Sequence, residues 1–127
     1  MKTLTLEILA ETLAVCRLSP RDSVPTWANG RFLCITRTDD ELSIVCPQRL
    51  VPEDALHEPG WRCLKVRGPL PFSMTGVLAS LASPLADAGI SIFVVSTYDT
   101  DYLLVQEDKL DAAITVLTTH GHVTRSS

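Results

Sequence analysis

Two short segments of the sequence contain residue types that could hold a ligand with one negative and one positive group. Residues 73–77 open a predicted helix, where free backbone N–H groups and the positive end of the helix dipole favour a carboxylate. Gly76 has no side chain, so a ligand could approach the backbone there. Residues 97–101 follow a predicted strand, and the Asp101 carboxylate could accept hydrogen bonds from an ammonium group. The candidate ligand-binding residues are Ser73, Met74, Thr75, Gly76, Val77, Thr97, Tyr98, Asp99, Thr100 and Asp101.

The same residues also have purely structural interpretations, which the sequence leaves open. Ser73 could serve only as a helix cap, and Gly76 could allow close packing of the helix on a sheet. Asp99 and Asp101 could be ordinary turn acids, because short acidic side chains favour turns. Tyr98 could be a plain surface or core residue.

The elements that would position these segments are clearest after residue 60. Strands are predicted over 61–67, 90–96 and 102–106, the second of them strongly apolar and therefore expected at the centre of its sheet. A helix is predicted over 72–88, with Pro84 causing a kink near Leu81 or dividing it into two short helices. A second helix covers 110–117, and a last strand lies near Val123. This is the βαββαβ order of ferredoxin-like folds.

The first half of the chain is predicted to form strands joined by turns, with less helix. Strands are expected over 3–8, 13–18, 32–36 and 42–46, with a loop over 19–29 and a short helix over 47–56. Pro59 and Gly60 are predicted to end this half. The predicted domains are therefore residues 1–60 and residues 61–127.

An internal repeat supports that division. An ungapped alignment of the two halves that places Ile35 on Val95 also places Glu41 on Asp101, and both halves then read as strand, polar turn, strand and helix start. The first copy lacks the long helix, so it would be degenerate. Glu41 becomes a candidate for a second, pseudo-symmetric site. Chance similarity between two hairpins is the alternative.

The composition excludes several classes of function. The chain has 127 residues and a formal net charge of −4, which makes nucleic acid a poor partner. No segment is long and apolar enough for a membrane helix or a signal peptide, so a cytoplasmic location is expected. The four cysteines form no CxxC pair and are predicted to be buried, reduced thiols, and the histidines have no metal-site spacing. No metal, no cofactor and no catalytic motif is predicted, so we expect a protein that is not an enzyme.

Two motifs in the second half resemble a known family. The run Pro-Phe-Ser-Met-Thr-Gly at 71–76 and the run Ser-Thr-Tyr-Asp-Thr-Asp-Tyr at 96–102 are similar to the tandem ACT proteins related to aspartate kinase regulatory halves and animal cytosolic arginine sensors. The resemblance implies an α+β fold with two tandem ferredoxin-like (βαββαβ) ACT units, the first degenerate, their sheets side by side. It also implies a homodimer that binds an amino acid and signals to a protein partner.

The resemblance further suggests which amino acid would bind. Ligand contacts in the related arginine sensors fall in the segments matching 73–77 and 97–101, but those sensors have an acidic residue where this sequence has Met74. A small or apolar amino acid is therefore favoured over arginine. The alternative function is an ACT-type protein–protein interaction module with no functional ligand pocket.

Overall fold

The structure is a computed structural model that describes residues 3–71 and 75–126. The described chain has an α+β fold in which two α-helices accompany seven strands, and a short 3₁₀ helix follows two of the strands. The strands are β1 Thr5–Leu18, β2 Cys34–Arg37, β3 Leu42–Pro47, β4 His57–Val66, β5 Ile92–Ser96, β6 Asp101–Gln106 and β7 Val123–Ser126. The helices are α1 Val77–Asp87 and α2 Leu110–Thr119, and the 3₁₀ helices are Gln48–Leu50 and Glu107–Lys109.

The chain divides into two compact units that share strands β1 and β4. The helical unit comprises Met1–Ala10 and Arg62–Ser127, and the hairpin unit comprises Glu11–Trp61. The start of the chain therefore packs with its second half. A division into two ACT units at residue 60 stays a prediction.

The helical unit has the predicted βαββαβ order from β4 to β7. Its strands lie in the order β7-β1-β4-β6-β5, so the beginning of β1 adds a strand beside β7, with which it pairs in parallel. The two helices cover a core of fully buried side chains that includes Leu6, Leu64, Leu81, Leu103 and Leu117. The apolar strand β5 lies at the end of this order. Its predicted position at the centre of the sheet is therefore wrong.

Helix α1 begins later than the apolar spacing predicted. Gly76 is its N-cap and has a positive φ of 80°, a left-handed conformation that glycine adopts without strain. Thr75 and Gly76 consequently lie outside the helix, whereas Phe72, where the helix was predicted to begin, is outside the described residues. Pro84 lies within one continuous helix, so the alternative of two short helices is wrong.

The hairpin unit differs from its prediction in three places. One continuous strand, β1, replaces the two strands expected over 3–8 and 13–18, and its second half pairs with β3. The helix predicted over 47–56 is wrong, because only the 3₁₀ helix Gln48–Leu50 forms and Pro52 follows it. Strand β4 begins at His57 rather than at residue 61, where a strand was predicted to begin, so Pro59 and Gly60 lie within it.

The repeat is visible in the structure, but its alignment differs by a single position from the one the sequence indicated. The N–H of Thr38 donates to the Glu41 carbonyl at 2.9 Å, as that of Thr97 does to the Thr100 carbonyl at 2.9 Å. Thr38 therefore corresponds to Thr97, and in this alignment β3 with its 3₁₀ helix has the same length as β6 with its own. The predicted alignment is wrong at these hairpins, although the similarity between them is real.

The cysteines are free thiols, and three of them are buried. Burial raises the pKa of Cys63 to about 12, against a small opposing effect of Lys65. Burial, and then the neighbouring Cys46, raise the pKa of Cys16 to about 12. These thiols therefore stay protonated at neutral pH and act as small core residues.

Among the helices of residues 3–71 and 75–126, none combines the length and the apolar character that a membrane-spanning helix requires.

Candidate functional site

The turn between β5 and β6 is a tight hairpin built by its two threonines. The Thr97 N–H donates to the Thr100 carbonyl at 2.9 Å, and the Thr97 hydroxyl donates to the same oxygen at 3.1 Å. The Thr97 hydroxyl oxygen in turn accepts the Thr100 N–H at 3.4 Å. Both threonines thus shape the turn, and Tyr98 and Asp99 form its exposed tip.

The turn is anchored on the chain that follows β4. Thr100 is buried, and its hydroxyl donates to the Val66 carbonyl at 2.7 Å. The Leu70 N–H donates to the Asp99 carbonyl at 2.7 Å. Gly68 allows this approach, because a β-carbon there would lie 3.0 Å from the Asp99 oxygen and 3.1 Å from the Thr100 β-carbon. The turn is therefore held by the buried Thr100 hydroxyl and by a backbone hydrogen bond, and not by its exposed side chains.

Asp101 is the better placed of the two acids in this turn. It opens β6 opposite Ser96 of β5, and the Ser96 hydroxyl donates to its Oδ1 at 2.7 Å. A carboxylate has four lone-pair positions, so Asp101 keeps acceptor capacity for a second donor. The Asp101 side chain is half-buried, whereas Asp99 is exposed. Partial burial strengthens an ion pair relative to one in open water.

A small cavity joins this turn to the start of α1. It has a volume of about 140 Å³, and we call it the turn cavity. Both acids line it, together with a largely apolar wall from Leu70, Pro71 and Val77. Val77 is the first residue of α1, so one residue of the predicted helix start lines the same cavity as the Asp101 turn. The complete lining is Leu70, Pro71, Val77, Thr97, Tyr98, Asp99, Thr100 and Asp101.

A larger groove runs along α1, and Val77 lines this groove as well. This helix groove has a volume of about 580 Å³ and is lined by Leu4, Thr75, Gly76, Val77, Ala79, Ser80, Ser83, Pro84, Asp87 and His120. The α1 residues among them recur every three or four positions from Val77 to Asp87, which places them on one face. The imidazole Nδ1 of His120 lies 2.9 Å from the Val116 carbonyl at the end of α2.

The predicted site residues are therefore divided between two cavities. Val77 and residues 97–101 line the turn cavity, whereas Thr75 and Gly76 line the helix groove. Ser73 and Met74 lie outside the described residues. The hydroxyls of Thr97 and Thr100 were predicted to face a ligand, but both are engaged in the hydrogen bonds that hold the turn.

The sequence prediction missed Leu70 and Pro71, which line the turn cavity as part of its apolar wall. A Gly-Pro step at positions 68 and 69 directly follows the strand predicted over 61–67. A glycine after a strand permits another backbone to approach closely, and this signal could have indicated the contact. The spacing of small residues along α1 would have indicated the helix groove.

Glu41 does not occupy the place of Asp101 in the other hairpin. With Thr38 aligned on Thr97, Glu41 corresponds to Thr100, and the fully buried Leu42 corresponds to Asp101. The Thr38 hydroxyl oxygen accepts the Glu41 N–H at 3.3 Å, so the two turns share their construction. The predicted equivalence on which a second site at Glu41 depended is therefore wrong.

The charges that line the turn cavity indicate which kind of group it would attract. Neither Lys nor Arg lines the turn cavity in the described structure, so its two carboxylates favour a positively charged group. The first N–H groups of α1 precede its first internal hydrogen bond, from the Ser80 N–H to the Gly76 carbonyl at 2.9 Å. No group of three or more potential metal ligands occurs within residues 3–71 and 75–126.

Comparisons with known proteins give a consistent picture. A family model described as the ACT domain matches residues 56–119, about half of the chain. A second model, of an N-terminal domain, matches residues 11–54. The human protein named cytosolic arginine sensor for mTORC1 subunit 1 is 32% identical over 120 residues, which cover 86% of this chain and 36% of that protein. The mouse protein of the same name is 34% identical over 94 residues, covering 68% of this chain and 28% of that protein. The chain thus spans about a third of the length of these curated relatives.

Solved structures agree on the fold. A crystal structure from Agobacterium tumefaciens has a TM-score of 0.94 and 44% identity, covering 100% of this chain and 96% of that chain. The ligand-free regulatory subunit of aspartate kinase from Thermus thermophilus has a TM-score of 0.66 and 11% identity, covering 94% of this chain and 99% of that chain. At that identity the second likeness concerns the fold alone.

Proposed function

The chain belongs to the ACT domain family, and from that premise we propose that it is a regulatory module that binds a small amino acid in the turn cavity and catalyses no reaction. The match to the ACT domain model confirms the family resemblance noted in the motifs at 71–76 and 96–102. The observation that carries the proposal is that Val77, at the start of α1, and Asp101 line the same cavity. An amino acid needs one group for its carboxylate and one for its ammonium within a few ångströms.

The ammonium group of the ligand would be held by Asp101. This carboxylate is half-buried and is oriented by the Ser96 hydroxyl. Asp99 adds a second negative charge at the rim of the cavity. A charge-assisted hydrogen bond to a fixed carboxylate is stronger than one between neutral groups.

The carboxylate of the ligand would be held at the start of α1. Gly76 is the N-cap and has no side-chain oxygen to satisfy the first helical N–H groups. The N–H of Val77 is one of these groups, and the positive end of the helix dipole adds to its attraction for an anion. Because Val77 lines the turn cavity, the ligand could contact both charged ends of its site at once.

The size of the cavity favours a small side chain. About 140 Å³ is well below the roughly 300–1,000 Å³ of cavities for drug-sized ligands. The wall formed by Leu70, Pro71 and Val77 is apolar, and neither acid lies on it. A small or apolar amino acid fits these surroundings better than arginine, as the residue at position 74 also suggested.

The regulated partner would be another protein or another part of a longer chain. The matched relatives include an arginine sensor and regulatory subunits of aspartate kinase, which supports a regulatory role without catalysis. We also propose that residues 1–60 form a degenerate ACT-like unit, followed in tandem by an ACT unit over residues 61–127. A cytoplasmic location and assembly as a homodimer likewise belong to the proposal.

Calorimetric titration of the purified chain with each of the twenty amino acids tests the proposal directly. We expect one or a few small or apolar amino acids to bind. In a thermal-shift assay the same amino acids should raise the melting temperature of the chain, because a ligand that binds only the native state stabilises it by mass action. The variant Asp101→Asn keeps an oxygen for the Ser96 hydroxyl but loses the negative charge. We expect it to bind the ligand at least about tenfold more weakly.

Asp40→Asn is the matched control, since Asp40 is an exposed acid in the equivalent turn of the other hairpin. Its affinity for the ligand should equal that of the wild type. If no amino acid produces heat or a thermal shift at millimolar concentration, the ligand proposal is wrong. The protein–protein interaction module would then be the better account.

A further inference from the structure

A further cavity of the helical unit lies between the beginning of β1 and the chain that follows β4. It has a volume of about 340 Å³, within the roughly 300–1,000 Å³ range of small-molecule sites. Among the described residues that line it, Arg67 alone carries a charge, and we call it the arginine cavity. The lining of the turn cavity has the opposite charge, so the two cavities would attract different chemical groups.

The polar side of the arginine cavity has hydrogen-bond donors that the protein does not itself use. The hydroxyls of Thr3 and Thr5 line the cavity and make no hydrogen bond within the described residues. The Nε of Arg67 donates to the Glu7 Oε1 at 3.4 Å, which leaves the N–H groups on Nη1 and Nη2. Two such N–H groups match the two oxygens of a carboxylate, so an anion could bind without displacing Glu7.

The contact with Glu7 orients the guanidinium group more than it neutralises it. Both side chains are partly exposed, 53% for Arg67 and 28% for Glu7, and an exposed ion pair of this kind is weak. The backbone at Arg67 is also fixed, because its N–H donates to the Thr5 carbonyl at 2.8 Å. The positive charge therefore lies beside the threonine hydroxyls and keeps donors for a second anion.

The other side of the cavity is an apolar wall with little freedom to move. It is formed by Leu4, Pro69, Leu70 and Pro71. Each proline has a fixed φ, and the Leu70 N–H donates to the Asp99 carbonyl at 2.7 Å. A wall that is already ordered binds an apolar group without a further loss of conformational entropy.

We propose that the arginine cavity binds a small monocarboxylate with a short apolar chain. The carboxylate accepts hydrogen bonds from the Nη groups of Arg67 and from the two threonine hydroxyls, and the apolar chain packs on Leu70 and the neighbouring prolines. A free phosphate could use the same donors but would leave the apolar wall uncovered. This site is separate from the amino-acid site proposed above and does not depend on it.

NMR titration of the wild-type chain with isovalerate tests the site directly. We expect the amide signals of Thr3, Thr5 and Gly68 to shift. The Kd should be at least about tenfold lower than for acetate, inorganic phosphate or isovaleramide, since each of these lacks either the apolar chain or the charge. Signals that do not move at about 50 mM isovalerate, or that move only at Ser80 and Ser83 in the helix groove, would overturn the proposal. Equal or tighter binding of phosphate or isovaleramide would overturn it as well.

Two matched arginine variants provide the second test. Arg67→Met keeps most of the side-chain length but removes the charge, and it should bind isovalerate at least about tenfold more weakly. Arg125→Met is the control, because Arg125 is exposed, lies opposite the same Glu7 on β7 and does not line the cavity. Both variants should melt within about 2 °C of the wild type without ligand, since neither side chain is buried. Equal affinities of the two variants for isovalerate would contradict the site.

The variant Asp101→Asn separates this proposal from the amino-acid proposal. It removes a charge from the turn cavity and changes no residue of the arginine cavity. Its affinity for isovalerate should equal that of the wild type. A loss of isovalerate binding in Asp101→Asn would show that the carboxylate ligand occupies the turn cavity, and the assignment to Arg67 would be wrong.

Discussion

Substitution of Thr100 by valine tests whether the hydroxyl of this residue holds the turn cavity together. Thr100 is 5% exposed, and its hydroxyl donates to the Val66 carbonyl at 2.7 Å. Valine keeps the shape of threonine but leaves that buried carbonyl without this donor. The loss of one partner of a buried hydrogen bond costs about 1–3 kcal/mol. An unfolding entropy of about 2.1 cal/mol/K per residue gives roughly 0.27 kcal/mol/K for 127 residues. The melting temperature should therefore fall by about 4–11 °C.

Differential scanning calorimetry of Thr100→Val beside Thr115→Val is the appropriate assay. Thr115 makes a similar hydrogen bond, from its hydroxyl to the Asp111 carbonyl at 3.1 Å, but on the exposed surface of α2. The control should lose less than about 0.5 kcal/mol, or about 2 °C. Should both variants melt within about 2 °C of each other, the buried hydroxyl does not anchor the turn, and the reasoning about the cavity fails.

Three further predictions concern the thiols and the approach of the turn to β4. In the native protein a thiol reagent should modify only Cys34, the half-exposed cysteine, and in denaturant it should modify all four thiols. The amount of chromophore released by the reagent counts the modified thiols. Fast modification of more than one thiol in the native protein would contradict the described burial. The free energy of unfolding should fall above pH 9, because Cys16 and Cys63 keep their protons in the folded state up to a pKa of about 12 but lose them near 9.0 when unfolded. Between those two pKa values each thiol contributes a slope of up to about 1.4 kcal/mol per pH unit, which chemical denaturation at a series of pH values would measure. A free energy of unfolding that does not change with pH in this range would contradict the burial of the two thiols. Gly68→Ala should destabilise the fold by about 1–3 kcal/mol, because its new β-carbon would lie 3.0 Å from the Asp99 carbonyl oxygen. Chemical denaturation measures this loss, and an unchanged denaturation midpoint would show that the turn can shift.

Predictions from the sequence succeeded where apolar residues recur at helical spacing, and failed where the local backbone conformation determined the structure. The second helix was predicted over 110–117 and covers Leu110–Thr119, since its apolar residues recur at helical spacing. The start of α1 was placed too early, because the spacing cannot show that Gly76 adopts a left-handed conformation. The strand that begins the second half was predicted from residue 61, but β4 begins at His57 and includes Pro59 and Gly60. Pro59 has no N–H to give to a neighbouring strand, and the Gly60 N–H donates to the Gln48 Oε1 at 2.7 Å instead. The edge position of β5 could not be predicted, since an apolar composition does not show how many neighbours a strand has in its sheet.

The single-position difference between the predicted and the observed alignment of the two hairpins explains why only one of them can have the proposed site. Three consecutive residues are buried in the middle of each inner strand, at 44–46 in β3 and 103–105 in β6. Polar and apolar residues therefore do not alternate there, and alternation is the feature that fixes strand register. The alignment made from the sequence matched apolar residues as well as the true alignment does, and it placed Glu41 on Asp101. The closing hydrogen bonds of the turns place the buried Leu42 there instead. A carboxylate at the first position of the inner strand thus occurs only in the β5–β6 hairpin, and the ammonium-binding half of the proposed site depends on this single difference.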